Sequence, residues 1–341
     1  MPPDPGSGLT GADDFHTIMS VNVFLTGGTG FIGSHLIELL QARGASVIAL
    51  VRDPVKAAAL EGTGVRSLQG DLFSLPPLPA GIDVVFHLAG RTRSLKTADY
   101  YTVNHEGTAS LFRHLEAQAG RPKVIYLSSL AAAGPSINGT PVKESDAPHP
   151  VTHYGRSKLL GEEEALRFRE EFPLVIVRAT AVFGPRDRDF LTYFKVINRG
   201  ILATVRKNRL LSICYARDLA EALCLCAEKE LPSGEIFNVA DPAPVSWEEF
   251  GLAAARALEK KAVRVRVPLG VVAAAAALSE LRDRLARNPG IFNRDKYRDL
   301  KQAGWVADVG KAARMLSFRT RYPLDQALRE TMNWYRAQKW L

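Results

Sequence analysis

The stretch with the most chemistry in this 341-residue chain is "VTHYGRSKLLGEE", residues 151–163. Tyr154 and Lys158 stand four apart, which in a helix places them one turn apart on one face. A free phenol, with a pKa of about 10, is a poor base at neutral pH. A neighbouring ammonium favours the phenolate and makes the pair a device for moving a proton to or from a substrate oxygen. The same two residues would also suit an ordinary exposed helix, so the surrounding elements decide between the readings.

Those elements begin at "TGGTGFIG", residues 26–33, which follows an apolar run and opens a helical one. It satisfies GxGxxG through Gly28, Gly30 and Gly33, and GxxGxxG through Gly27, Gly30 and Gly33. Glycines let a backbone turn tightly against a pyrophosphate, whose charge a helix N-terminus stabilises. In this strand–turn–helix setting the loop reads as a dinucleotide site, with Phe31 and Ile32 inside it. At the end of the second strand, where an acidic residue would bind the ribose of NAD, stand Val51 and then Arg52. An arginine there suits the 2′-phosphate of NADP. NADP is therefore the favoured cofactor and NAD the alternative, while Asp53 opens a turn and reads as a helix cap. Asp71 and Leu72 of "GDL" end the third strand, where the carboxylate could accept from an adenine amine. Leu88, Ala89 and Gly90 of "HLAG" bring small residues to the end of the fourth. His87 beside them reads as a packed core residue.

Apolar runs at 21–27, 45–51, 65–71, 83–90 and 123–129 alternate with helical patterns at 33–44, 54–62 and 104–119. Further strands are expected at 174–180 and 234–241. This alternation predicts an α/β fold, a doubly wound parallel sheet of Rossmann type. Residues 1–19 are expected to be disordered, and 20–182 with 234–245 to form the dinucleotide-binding domain. Residues 183–233 and 246–322 are expected to form a smaller substrate-binding lobe, and 323–341 a helix packing on the first lobe.

Strand five ends "YLSSLAAAG", bringing Ser128 and Ser129 to the edge of the sheet that the helix of Tyr154 and Lys158 then meets. The set resembles the extended short-chain dehydrogenase/reductase family, of the NAD-dependent epimerase/dehydratase type. Six spaced motifs carry the resemblance: TGGTGFIG, GDL, HLAG, VNHEGT, YLSS and YGRSK. It is dense over residues 21–185 and continues through "RDLAEA", "GEIFNVAD" and "TMNWYRAQKWL". The resemblance implies a catalytic set of Ser129, Tyr154 and Lys158, with Lys158 also holding the nicotinamide ribose. It implies that Asn104 orients the helix near them, that Ala181 lies against the cofactor, and that the protein is a homodimer through helices 104–119 and 154–170.

Two enzymatic readings follow, an alcohol–ketone oxidoreductase and a nucleotide-sugar epimerase. A dinucleotide-sensing protein without activity is a third, which the complete Ser–Tyr–Lys set opposes. "VRATAVFGPRDRDFLTYFKVINRGILA", residues 177–203, is similar to the hydroxysteroid dehydrogenase and dihydroflavonol reductase branch. Thr180, Ala181 and Val182 stand where epimerases tend to carry an asparagine. Arg186 and Arg188 weigh the other way, since a diphosphate needs cations. The oxidoreductase reading, on a bulky hydrophobic substrate, is preferred.

The net charge of +8 is uneven: residues 260–341 hold 18 Lys and Arg against 7 Asp and Glu. No nucleic-acid motif accompanies them, and no apolar run reaches the roughly 18 residues of a membrane span. Cys214, Cys224 and Cys226 form no metal-binding spacing and read as buried thiols of a reduced compartment. A cytoplasmic protein with a small-molecule substrate, and no metal or nucleic-acid partner, is the expectation. "VPLGVVAAAAALSEL", residues 267–281, is flanked by cations and too short to span a bilayer. It reads as a core helix of the small lobe that also roofs the substrate pocket with Ala274 and Ala275, with attachment to a membrane surface as an alternative.

Overall fold

The computed structural model describes residues 21–58, 60–205, 209–287, 290 and 292–341. The segment expected to be disordered, 1–19, lies outside the described residues. The first half of the chain alternates as predicted. Its elements are β1 (Asn22–Thr26), α1 (Phe31–Ala42), β2 (Ser46–Val51), α2 (Pro54–Ala58), β3 (Arg66–Gln69) and β4 (Val84–His87). They continue with α3 (Ala98–Tyr101), a π-helical turn (Thr102–Glu106), α4 (Gly107–Glu116), β5 (Lys123–Ser129), α5 (Leu130–Ala133), α6 (His153–Leu166) and β6 (Leu174–Ala179). The second half is less regular: β7 (Ala181–Phe183), α7 (Asp189–Asn198), β8 (Ile201–Thr204), β9 (Leu210–Leu211), β10 (Ile213–Tyr215) and α8 (Ala216–Glu228). After these come β11 (Glu235–Val239), β12 (Val245–Ser246), α9 (Trp247–Leu258), β13 (Val263–Arg266), α10 (Leu269–Ala286), α11 (Arg294–Leu300), α12 (Gly310–Met315) and α13 (Leu324–Ala337).

Seven parallel strands form one sheet in the order β11-β6-β5-β4-β1-β2-β3. The chain winds outward from β1 through β3, then returns to β4 and winds the other way. The β1/β4 boundary is thus the switch point, where an open α/β sheet leaves a crevice at the carboxyl ends of its strands. Strands β4 and β6 are buried along their whole length, as a sheet covered on both faces requires. One apolar layer packs Leu36, Ile37 and Leu40 of α1 with Leu219, Leu223 and Cys224 of α8. The opposite layer packs Leu111, Phe112 and Leu115 of α4 with Tyr126, Phe172 and Ile176.

The smaller lobe has its own aromatic core, in which Phe183, Phe194, Phe250 and Tyr335 are all at most 1% exposed. Three placements differ from the sequence reading. Helix α8, expected in the smaller lobe with the rest of 183–233, packs on α1 and the main sheet, because its apolar stripe completes that layer. Helix α13, expected on the first lobe, buries Ala327, Leu328 and Met332 in the smaller lobe's core instead. Helix α10 is not a core helix: Val272, Ala276 and Asp283 are its buried residues, while Ala274 and Ala275 are exposed and roof nothing. The helix expected at 104–119 also starts earlier, at Ala98, and passes through the π turn.

Cys214, Cys224 and Cys226 are buried free thiols. No described helix is long and apolar enough to cross a membrane.

Candidate active site

The glycine loop leaves β1 at the switch point. Gly27 has φ +78°, and a Cβ on it would lie 2.6 Å from the Ala89 nitrogen of the "HLAG" turn. A Cβ on Gly33 would lie 2.2 Å from the Gly27 carbonyl oxygen. Gly28 instead faces Ile37, Leu25 and Ala49 of the core. The working spacing is therefore Gly27–Gly30–Gly33. Gly30 is the N-cap of α1, where no side chain caps the helix, so the first-turn N–H groups point at the crevice. This glycine cradle and bare helix end fit a dinucleotide pyrophosphate.

Around that cradle, Ala89 N–H donates to Thr26 Oγ1 (3.2 Å), which fixes the "HLAG" turn over the loop. Leu72 is buried against Gly107 of α4. Asp71 Oδ1 accepts from Phe73 N–H, Ser74 N–H and Ser74 Oγ–H, so one of its oxygens is held in its own turn. Those bonds, chiefly from Phe73, hold its pKa below the ordinary value, and Arg52 nearby adds to the effect. Arg52 is exposed just past β2, and Asp53 caps α2 by accepting from Val55 N–H (3.0 Å). His87 is a core residue as expected, bonded to Thr26 Oγ1 (2.7 Å) and Thr108 Oγ1 (3.0 Å) and stacked on Tyr126.

The carboxyl end of β5 and the start of α6 bring Ser129, Tyr154 and Lys158 together. Ser129 ends β5 and is the N-cap of α5, its Oγ accepting from Ala131 N–H. Burial raises the Tyr154 phenol above its usual pKa, and a hydrogen bond from Ser129 opposes the rise. Lys158 is buried, donates to the Leu127 carbonyl oxygen (2.7 Å) and sits 4.3 Å over the Tyr126 ring. Its burial lowers its pKa to about 7, against the pull of the Glu162 carboxylate one turn on. A Cβ on Gly90 would lie 3.9 Å from Lys158 Nζ, so the "HLAG" turn and the amine face each other closely.

Asn104 lies in the π turn, a local form that often marks a functional site. Its Nδ2 donates to Ser157 Oγ (2.8 Å) and its Oδ1 accepts from Arg91 N–H (2.7 Å). It thereby ties α6 to the segment after "HLAG". Ala181 begins β7, its N–H donating to the Ser212 carbonyl oxygen (3.3 Å).

Three contributors were not foreseen. Glu162 holds Ser128 Oγ–H and forms a bidentate pair with Arg178, both side chains being nearly fully buried. Its signal was the four-residue ladder Tyr154–Lys158–Glu162. Tyr100 packs edge-on to Tyr154 with ring centroids 6.4 Å apart. Asp295 of α11 accepts from the N–H groups of His153 (3.1 Å) and Tyr154 (3.3 Å). No local pattern announces either contact. A cavity of about 150 Å³ opens here, lined by Tyr100, His153, Glu280, Asp283, Arg284 and Arg298 among others. The two arginines expected near a diphosphate are engaged elsewhere. Arg186 pairs with Glu38 of α1 (2.7 Å), and Arg188 lies 5.0 Å over the Trp340 ring.

A switch-point crevice with a glycine cradle and a serine–tyrosine–lysine cluster defines a dinucleotide-dependent enzyme of Rossmann fold. The family model described as NAD dependent epimerase/dehydratase family matches residues 23–240, and the chain belongs to that family, within the extended short-chain dehydrogenases/reductases. It is 29% identical over 324 residues to a ceramide reductase of Caulobacter vibrioides, covering 94% of this chain and 96% of the relative. To UDP-glucose 4-epimerase of Vibrio cholerae it is 28% identical over 305 residues, covering 84% and 91%. Among solved structures, MoeE5 in complex with UDP-glucuronic acid and NAD matches with a TM-score of 0.74 and 25% identity, covering 93% of this chain and 99% of that one.

Proposed function

We propose that this enzyme reduces a ketone on a bulky, largely apolar substrate, with Ser129, Tyr154 and Lys158 as its catalytic residues and NADP as the preferred dinucleotide. The observation that carries the reading is the meeting of Ser129 at the end of β5 with Tyr154 and the buried Lys158 at the start of α6, the amine facing the Gly90 turn. When bound, the dinucleotide supplies the hydride. Tyr154 holds the proton destined for the carbonyl oxygen, and its raised pKa keeps the phenol protonated, the form that reduction requires. Ser129 Oγ orients that oxygen by a second hydrogen bond. Lys158 steadies the phenolate left behind and would hold the ribose of the bound dinucleotide.

Reduction is favoured over epimerisation because Arg186 and Arg188 rest against Glu38 and Trp340, which weakens the argument for a diphosphate. The likeness to a ceramide reductase over nearly the whole chain supports the same choice. NADP rests on Arg52, exposed at the end of β2 without an acidic partner at Val51. A homodimer through α4 and α6 and a cytoplasmic location belong to the same reading.

The test is to supply NADPH or NADH with a ceramide-type lipid ketone, a steroid ketone or UDP-glucose. Loss of reduced cofactor with a ketone supports the proposal. Conversion of UDP-glucose to its 4-epimer, with no net cofactor change and no ketone reduction, replaces it with the epimerase reading.

A further inference from the structure

Helix α10 carries an exposed face that the catalytic cluster does not use. Val271, Leu278, Leu281 and Leu285 are 56%, 69%, 56% and 79% exposed. With Ala274, also exposed, they recur at steps of three, four, three and four, which draws one straight apolar seam along the helix. The opposite face buries Val272, Ala276 and Asp283. Among the described residues, none covers the seam. An aliphatic stripe of this size on a soluble domain marks an interaction surface.

Its borders are cationic. Arg282 and Arg284 lie on the helix at 75% and 64% side-chain exposure, Arg287 is its C-cap, and Arg264 and Arg266 are exposed on the strand that feeds it. Arg282 and Arg284 pair with Asp283 and Glu280, yet their own guanidinium groups stay exposed and so can also meet other anions. A second copy of the chain packed seam to seam would bring these arginines against their own kind. A peripheral bilayer surface offers the complement to both features, acyl chains for the leucines and lipid phosphates for the arginines. At 18 residues the helix is about 27 Å long, and because its opposite face packs on the protein it meets a bilayer only by lying flat.

We propose that α10 docks the enzyme on an anionic lipid bilayer, with the Val271–Leu285 seam in the headgroup–acyl boundary. The same helix presents Glu280, Asp283 and Arg284 to the cavity beside Tyr100 and His153, so docking sets that cavity next to the lipid surface. The docking rests on the surface of α10 and not on the reductase reading, and its test uses no substrate.

Flotation of the full chain with vesicles of phosphatidylcholine alone, or of phosphatidylcholine mixed equally with phosphatidylglycerol, reads the interaction. The chain floats with the anionic vesicles and not with the neutral ones. Leu278→Ser with Leu281→Ser and Leu285→Ser lowers partitioning by about a hundredfold, because three half-inserted leucines are lost. Arg282→Gln with Arg284→Gln and Arg287→Gln lowers it by at least about tenfold. Leu285→Ser alone, at the most exposed of the four positions, gives a smaller loss in a chain whose packing is untouched. Absence of flotation, equal flotation on neutral vesicles, or flotation unchanged by the leucine substitutions overturns the proposal. So does light scattering that shows the leucine variant converting a dimer into a monomer, which would assign the seam to a second copy.

Discussion

The carboxylate of Asp295 accepts hydrogen bonds from the first N–H groups of α6, including that of Tyr154 at 3.3 Å. A residue 141 positions away in the chain thereby caps the helix that carries Tyr154 and Lys158. Thr152 supplies the local cap, its Oγ accepting from Gly155 N–H (2.9 Å), so the helix start is held from both lobes.

Asp295→Ala removes a charged acceptor from two helix N–H groups. The expected outcome is a loss of about 2 kcal/mol in urea unfolding. A fall in kcat should accompany it, because the first turn of α6 carries the phenol. Unchanged kcat in a chain destabilised by that amount would show that the contact serves stability alone.

Tyr154→Phe is expected to lower kcat at least about a hundredfold while leaving dinucleotide affinity intact, since only the proton-transferring oxygen goes. Lys158→Met should damage both rate and affinity. Fluorescence titration with the dinucleotide, alongside initial rates, separates the two effects.

Arg52→Ala should weaken NADPH by about tenfold or more and leave NADH nearly unchanged, because a charged contact to the 2′-phosphate is lost. Equal losses for both dinucleotides would remove the basis for NADP.

His87 predicts an acid limb of stability. Burial, with Lys158 nearby, lowers its pKa from 6.5 to about 3. Below pH 6.5 the unfolded chain takes up a proton that the folded one refuses, so this contribution is full above pH 6.5 and is lost as pH falls toward 3. The slope approaches about 1.4 kcal/mol per pH unit. His87→Gln keeps polar partners for Thr26 and Thr108 but does not titrate. Urea midpoints at pH 7 and pH 4 should converge for the two proteins as the pH falls. Parallel losses in both would assign the acid limb to other groups.

The residues of the dinucleotide cradle and of the serine–tyrosine–lysine cluster were legible in the chain because their constraints are local. A glycine at φ +78°, a helix starting at Gly30 and two side chains one turn apart are set within a few residues of sequence. The alternation of strands and helices likewise implied the parallel sheet. Only the tertiary structure decided which glycine spacing meets the "HLAG" turn, since Gly27 and Gly28 differ in what lies across from them and not in their own chemistry. It also decided that α8 completes the layer over α1, that α13 closes the smaller core, and that Ala274 and Ala275 face outward. Amphipathic periodicity tells that a helix has an apolar face, while the surface that buries it is supplied by distant segments. The capping of α6 by Asp295 and the diversion of Arg186 to Glu38 belong to the same class, being contacts across more than 140 residues of chain. Sequence proximity carries no information about such pairs, so folding alone brings them together.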